Sequence, residues 1–184
     1  MSQAEIGLIG LGVMGSNLAL NIAEKGNRIA VFNRTPERTD AFMASAGNFA
    51  ADLVPAKTME DFIASIRPPR PVIIMVKAGE AVDEQIAALK KLMAKNDIVI
   101  DAGNANFRDT MRRFQDLDGS GLTFIGMGVS GGEEGARHGP SIMVGGAKEQ
   151  WHNAQPVLEA ISAKFNGEPC CAYLGEGGAG HFVK

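Results

Sequence analysis

The sequence predicts an α/β fold, a doubly wound, mostly parallel sheet with helices on both faces. Three observations predict it. Short apolar runs alternate with stretches of helical spacing along the chain. Runs such as Val72-Ile73-Ile74-Met75-Val76 are continuously apolar, as expected of strands buried on both faces. The length, 184 residues, suits one domain with a substantial core.

The elements follow in order. Ile6-Gly7-Leu8-Ile9 reads as a strand ending at Gly10. From Val13, the residues Met14, Leu18 and Ile22 recur at helical spacing, and Lys25-Gly26 supplies a basic last turn and a C′ glycine. Ile29-Ala30-Val31-Phe32 is the second strand. Thr35-Pro36 gives an N-cap and a proline at N1 for a helix reaching Gly47. Thr58-Met59-Glu60-Asp61 resembles a capping box before a short helix to Ile66, and the prolines of residues 67–71 block its continuation. A strand over 72–76 is followed by a helix over 81–95 with Val82, Ile86, Leu89, Leu92 and Met93 inward. Strands are expected at 98–100, 122–125, 141–144 and 170–174, helices at 108–118 and 148–164, and a glycine-rich loop over 126–140. The chain stops on what reads as a new helix after the glycines of 175–180. The expected organisation is therefore a cofactor-binding domain at 1–177, with 178–184 opening a helix toward a further domain.

Composition excludes several function classes. Glycine makes up 23 of the 184 residues, without a Gly-X-Y period and with only 8 prolines, so neither collagen nor disorder is indicated. A net charge of -3 and an aromatic complement of 9 Phe, 1 Trp and 1 Tyr argue against nucleic acid as a partner. No apolar run approaches the roughly 20 residues that cross a bilayer, so no membrane partner is expected. Met1-Ser2-Gln3-Ala4-Glu5 lacks the basic and apolar regions of a signal peptide. Cys170 and Cys171 are neighbours; a disulfide between them would be strained, so they read as thiols in a reducing, cytoplasmic compartment.

Gly10-Leu11-Gly12-Val13-Met14-Gly15 matches G-x-G-x-x-G between a strand and a helix, the context that a dinucleotide site of a Rossmann-type fold requires. The glycines allow a tight turn, close approach of a pyrophosphate and close packing of helix on strand. An NAD site usually ends the second strand with Asp or Glu, to bond the ribose hydroxyls. Here the segment is Phe32-Asn33-Arg34-Thr35-Pro36. Asn33 can bond a ribose or phosphate oxygen, Arg34 can clamp a 2′-phosphate bidentately, and Thr35 offers a hydroxyl at a helix N-terminus. Arg38, one turn on, can pack on adenine or add charge. NADP is expected rather than NAD. Two further segments end strands at the carboxyl edge of the sheet, Val76-Lys77-Ala78-Gly79 and Asp101-Ala102-Gly103-Asn104. The glycine-rich loop from Gly128 to Arg137 is a third candidate, because long structureless loops in compact domains are usually functional.

These residues resemble the N-terminal domain of the NADP-dependent 6-phosphogluconate dehydrogenases, along the whole chain. The most specific pieces are Phe32-Asn33-Arg34-Thr35, Met75-Val76-Lys77-Ala78-Gly79, residues 128–136, Gly167-Glu168-Pro169-Cys170 and Gly178-Ala179-Gly180-His181-Phe182-Val183-Lys184. The β-hydroxyacid dehydrogenases are similar in G-x-G-x-M-G and V-S-G-G but typically carry an Asp-x-Ser-Thr type segment where this chain has Gly103-Asn104. The resemblance implies oxidative decarboxylation of 6-phosphogluconate to ribulose 5-phosphate with NADP reduction, no metal, and a homodimer built mainly by a helical domain that follows. It implies Lys184 as general base, Asn104 bridging nicotinamide and substrate, Ser130, Gly131 and Gly132 at the substrate's carboxyl end, and Val76, Lys77 and Ala78 along the cofactor. The family's enolising glutamate and His-Asn pair would follow Lys184. Ala102 and Val144 depart from a frequent glycine and a frequent proline. His138 and His181 are read as structural or solvated. A 3-hydroxyacid dehydrogenase of the hydroxyisobutyrate type and a non-catalytic NADP-sensing module stay open as alternatives.

Overall fold

A computed structural model describes residues 3–184; Met1 and Ser2, the start of the segment read above for a leader, lie outside the described residues. The first half alternates strand and helix, as expected but for one added strand, β3: β1 (Ile6–Ile9), α1 (Val13–Glu24), β2 (Ile29–Phe32), α2 (Pro36–Ser45), β3 (Leu53–Ala56), α3 (Met59–Ala64), β4 (Pro71–Ile74) and α4 (Glu80–Leu89). The second half contains β5 (Ile98–Asp101), α5 (Phe107–Leu117), β6 (Thr123–Ser130), α6 (Gly132–His138), β7 (Ser141–Gly146) and α7 (Lys148–Ile161). A small hairpin, β8 (Lys164–Phe165) and β9 (Glu168–Pro169), precedes β10 (Cys171–Gly175) and α8 (Ala179–Val183).

The main sheet is 8-stranded in the order β10-β7-β6-β5-β4-β1-β2-β3. From β3 to β6 neighbours run parallel; β7 is antiparallel to β6 and β10 parallel to β7. Strand residues alternate strictly between two cores. Ile6, Leu8, Ile73, Ile98 and Ile100 join Leu18 and Ile22 of α1 and Trp151 and Leu158 of α7 on one face. Ile9, Val72, Ile74 and Val99 join Phe62 of α3, Val82 and Leu89 of α4 and Leu117 of α5 on the other. This is why the strands read as unbroken apolar runs: the two-residue period exists, but both faces are dry.

Local chemistry sets the boundaries. The Thr58 side chain accepts from the Asp61 N–H and starts α3. Gly26, at φ +81, closes α1 with a left-handed residue, while Lys25 is the C-cap and no basic residue lies in the last turn. The expected helices at 81–95 and 148–164 stop earlier, at Leu89 and Ile161. In the first, Met93 still bonds back to Leu89, but Asn96 takes a left-handed φ of +74 that turns the chain into β5. Strand β3, with Pro55 at its centre, and the β8–β9 hairpin were not expected from the sequence. Pro55 is tolerated because β3 is an edge strand.

The largest departure is the stretch 126–140, expected as a loop. Its first part is strand β6, and its second part forms helix α6. The glycines there serve close approach. A Cβ on Gly128 would lie 2.8 Å from Lys184 Cβ, and one on Gly126 would lie 2.4 Å from Thr110 Cγ2. On β7, a Cβ on Gly145 would lie 2.5 Å from the Gly180 nitrogen. Together these glycines form the seat on which α8 lies. Phe182 packs edge-on against Phe107, ring centroids 5.1 Å apart, at the rim of that seat.

Gly180→Ala tests the seat. The new Cβ would meet Gly126 O and Met143 O at 2.5 Å and the Gly145 nitrogen at 2.7 Å, all backbone. Alanine favours helices over glycine, yet the substitution is expected to destabilise the chain by about 1–3 kcal/mol through overpacking. Urea denaturation followed by circular dichroism checks this; a neutral or stabilising change would contradict the packing described.

Candidate active site and cofactor groove

The sheet order reverses at β1, which has β2 on one side and β4 on the other. A crevice opens outside the carboxyl ends at such a point. Gly10 lies there with φ +102, and a Cβ on it would stand 2.4 Å from Met75 O. A Cβ on Gly15 would stand 1.9 Å from Gly10 O, so α1 touches the turn directly. Around Gly12 the situation is opposite: a Cβ would meet nothing within 4 Å. The first and third glycines are thus demanded by the fold, while the second leaves open space in front of α1. That helix begins with no capping side chain and no carboxylate in its first turn. Its first N–H groups and positive dipole end face the opening, which suits an anion.

Leu11 departs from the expected cofactor contacts. Its side chain is buried in the core, and its N–H donates to Asn33 Oδ1 at 3.0 Å. Asn33 also donates from Nδ2 to Thr35 O at 3.2 Å. The Asn33 amide therefore pins the glycine turn to the end of β2, and shapes the cradle in addition to lining it. Asn33, Arg34, Thr35 and Arg38 line one bank of a groove of about 350 Å³. Thr35 is the N-cap of α2 and makes no cap bond with its side chain. The opposite bank comes from α4, through Ala81, Glu84 and Gln85, which sequence reasoning missed. A helix residue that faces a groove across the sheet end carries no mark in the chain itself.

A larger groove of about 700 Å³ shares Gly12, Met75, Val76 and Lys77 with the first and runs on toward the far strands. The structure brings Val13, Met14, Gly15, Ala78, Asn104, Ser130, Gly131, Gly132 and Lys184 to its walls. Gly131 and Gly132, at φ +136 and +61, make the sharp exit from β6. Lys184 Nζ donates a hydrogen bond to Asn104 Oδ1. Burial lowers the Lys184 amine below its ordinary range, so the neutral form is reached at lower pH than for a solvated lysine.

Behind this groove lies a buried ionic network that the sequence did not announce. Asp101, the last residue of β5, is fully buried, and Arg113 of α5 is 2% exposed. Arg113 donates to Asp101 Oδ2 at 3.1 Å, to Asp83 Oδ1 at 2.8 Å and to Gly79 O at 3.0 Å. Asp101 Oδ1 accepts from the Gly103 N–H at 3.2 Å. Burial pushes the Asp101 carboxyl up against the pull of His181 and Arg113, while the hydrogen bond from Arg113 draws Asp83 down. His181 of α8 is buried, and its Nδ1 shares a hydrogen bond with Thr110 Oγ1 at 2.8 Å; burial keeps its pKa low. Of the two expectations for it, structural or solvated, burial excludes the second. His138 is exposed, with Nε2 3.8 Å from Glu134 Oε2.

A family description, the NAD binding domain of 6-phosphogluconate dehydrogenase, matches residues 5–175. The chain belongs to this family. Among curated relatives in the family, the decarboxylating 6-phosphogluconate dehydrogenase of Rattus norvegicus is 50% identical over 185 residues, and that of Chlamydia pneumoniae 48% over 182 residues. Each match takes in 99–100% of this chain but only 38% of the relative. Among solved structures, the Plasmodium falciparum 6-phosphogluconate dehydrogenase superposes with a TM-score of 0.92 at 44% identity, over 97% of this chain and 38% of that one. The 3-hydroxyisobutyrate dehydrogenase of Mycobacterium tuberculosis gives 0.80 at 24% identity, over 100% of this chain and 58% of that one, a likeness of fold. The two superposed structures share the fold described above. Among the described residues, no helix is long and apolar enough to cross a membrane.

Arg113→Met tests the network behind the groove. It leaves Asp101 buried without its guanidinium, and a loss of about 3–5 kcal/mol in unfolding free energy is expected. Adding Asp101→Asn should recover part of that loss. A single-variant loss below about 1 kcal/mol would contradict the role assigned to the pair.

Proposed function

We propose that this chain binds NADP along the joined grooves and forms the cofactor-binding part of an enzyme that oxidatively decarboxylates 6-phosphogluconate to ribulose 5-phosphate. The observation that carries this reading is continuity. One groove system runs from Arg34, Thr35 and Arg38, past the uncapped start of α1, to Asn104 and Lys184. The residues fit the group: a cationic bank for a 2′-phosphate, an open glycine for a pyrophosphate, and apolar walls at Met75 and Val76 beyond. The relatives' shared name and the Plasmodium enzyme, described with NADP+ as cofactor and 6-phosphogluconate as substrate, support it.

NADP, when bound, supplies the hydride acceptor. Arg34 would fork onto the 2′-phosphate, with Thr35 and Arg38 beside it. Gly12 to Gly15 would take the pyrophosphate on their N–H groups. Val76, Lys77 and Ala78 would wall the cofactor. Lys184, its amine lowered by burial and held by Asn104, would take the proton of the substrate hydroxyl as that carbon is oxidised. Asn104 would then serve two duties, orienting Nζ and contacting substrate and nicotinamide. Ser130, Gly131 and Gly132 would receive the substrate's carboxyl end. On loss of CO₂ the pair of the broken C–C bond would move to the new carbonyl, to whose oxygen protonated Lys184 can return its proton as the enol forms. Ribulose 5-phosphate then requires a proton at the former α-carbon, the task of the glutamate expected after Lys184. The remaining substrate contacts, the homodimer and a cytoplasmic location belong to the proposal for the whole protein, of which residues 1–177 would be the cofactor domain and 178–184 the entry to the next.

A hydroxyisobutyrate-type dehydrogenase would share the glycine turn and the Val129-Ser130-Gly131-Gly132 segment. The Gly103-Asn104 segment and the higher identity to the phosphogluconate enzymes favour the reading above. Arg34→Ala tests the cofactor part. Calorimetric titration is expected to show NADP affinity falling about 10–100-fold while NAD changes less than about threefold, as for loss of a charge-assisted bidentate contact. Equal losses for both dinucleotides would overturn it.

A further inference from the structure

The bank of the smaller groove opposite Arg34 carries a carboxylate. Glu84, on the second turn of α4, lines the groove with Arg34, Arg38 and Lys77, and Arg34 Nη1 stands 3.8 Å from Glu84 Oε2. Both side chains are exposed, 83% and 55%, so their pairing contributes little to folding. It does matter for binding. The phosphate that distinguishes NADP from NAD brings up to two negative charges to a guanidinium that stands beside Glu84. Turning Arg34 onto the phosphate loosens its contact with Glu84, and the phosphate then shares the groove with that carboxylate. NAD carries no charge at that position and meets neither obstacle. We infer that Glu84 is a specificity-determining residue that holds NADP affinity down, by occupying Arg34 in the free protein and repelling the 2′-phosphate in the complex. This rests on the reading of Arg34 as the phosphate clamp. Its physical sense is turnover: reduced cofactor carries the same 2′-phosphate as oxidised, so a restrained clamp releases product sooner.

Calorimetric titration of the wild type, Glu84→Gln and Arg34→Ala with NADP, NAD and adenosine 2′,5′-bisphosphate tests this. Glu84→Gln is expected to tighten NADP and the bisphosphate about three- to tenfold and to leave NAD within about twofold. The gap between wild type and Glu84→Gln should narrow in high salt, because the charges are exposed. Unchanged or weaker NADP binding by Glu84→Gln, or an equal gain for NAD, would overturn the inference. The two readings fail differently. If Arg34→Ala selectively loses NADP while Glu84→Gln changes nothing, only the role of Glu84 falls. If Arg34→Ala loses neither dinucleotide selectively, the clamp itself falls. Both side chains lie on the surface, so neither variant puts folding at risk.

Discussion

The buried pair Arg113–Asp101 is the constraint on which the geometry of the site depends. A guanidinium and a carboxylate taken out of water are tolerable only when their partners are all in place. Here those partners are site segments. Arg113 grips Gly79 O and Asp83, at the start of α4, so the Val76–Gly79 wall is fixed from behind. Asp101 grips the Gly103 N–H, so the turn carrying Asn104 is fixed from the same point. The two walls cannot shift independently without unpairing a charge in the interior. Such a pair is poor evidence for high stability, since a well-packed apolar replacement often serves as well. Its value here lies in specifying one arrangement of two loops.

A second constraint acts on the opposite wall. Gly126, Gly128 and Gly145 remove side chains from β6 and β7, so that α8 can lie on bare backbone. His181 then reaches inward to Thr110 on α5, and Lys184 emerges over Asn104. The helix that delivers the amine is thus indexed against the strand it crosses and against the helix that holds Arg113. Burial along this path lowers the amine's pKa, and the geometry and the electrostatics have a common origin.

Much of this was legible in the chain, and the limits have physical reasons. Strands buried on both faces advertise themselves as apolar runs, and a glycine turn between strand and helix advertises an anion cradle. The missing carboxylate after Phe32, with Asn33 and Arg34 in that segment, points to NADP from the sequence alone. The stretch 126–140 reads as a loop yet forms strand and helix, because glycine has two uses, loose backbone and close approach, that look alike in sequence. Leu11 lay inside the motif yet turns into the core, because a motif marks backbone positions and not side-chain directions. Glu84, Asp83 and Arg113 were invisible because their importance arises from which elements the sheet order brings together. Asp101 ended a strand in plain view, but nothing in the chain says that its partner lies on the following helix.

Everything proposed for Arg34, Asn104 and Lys184 requires NADP to lie along the joined grooves. Titration of ¹⁵N-labelled chain with NADP, followed amide by amide, tests this most directly. The largest shifts are expected at Gly12 to Gly15, at Arg34 to Arg38 and at Val76 to Gly79, with a further group near Asn104. Repeating the titration with NAD should weaken the response at Arg34 to Arg38 and keep that at Gly12 to Gly15. Shifts confined to other faces of the sheet, or an identical pattern at Arg34 to Arg38 for both dinucleotides, would contradict the account.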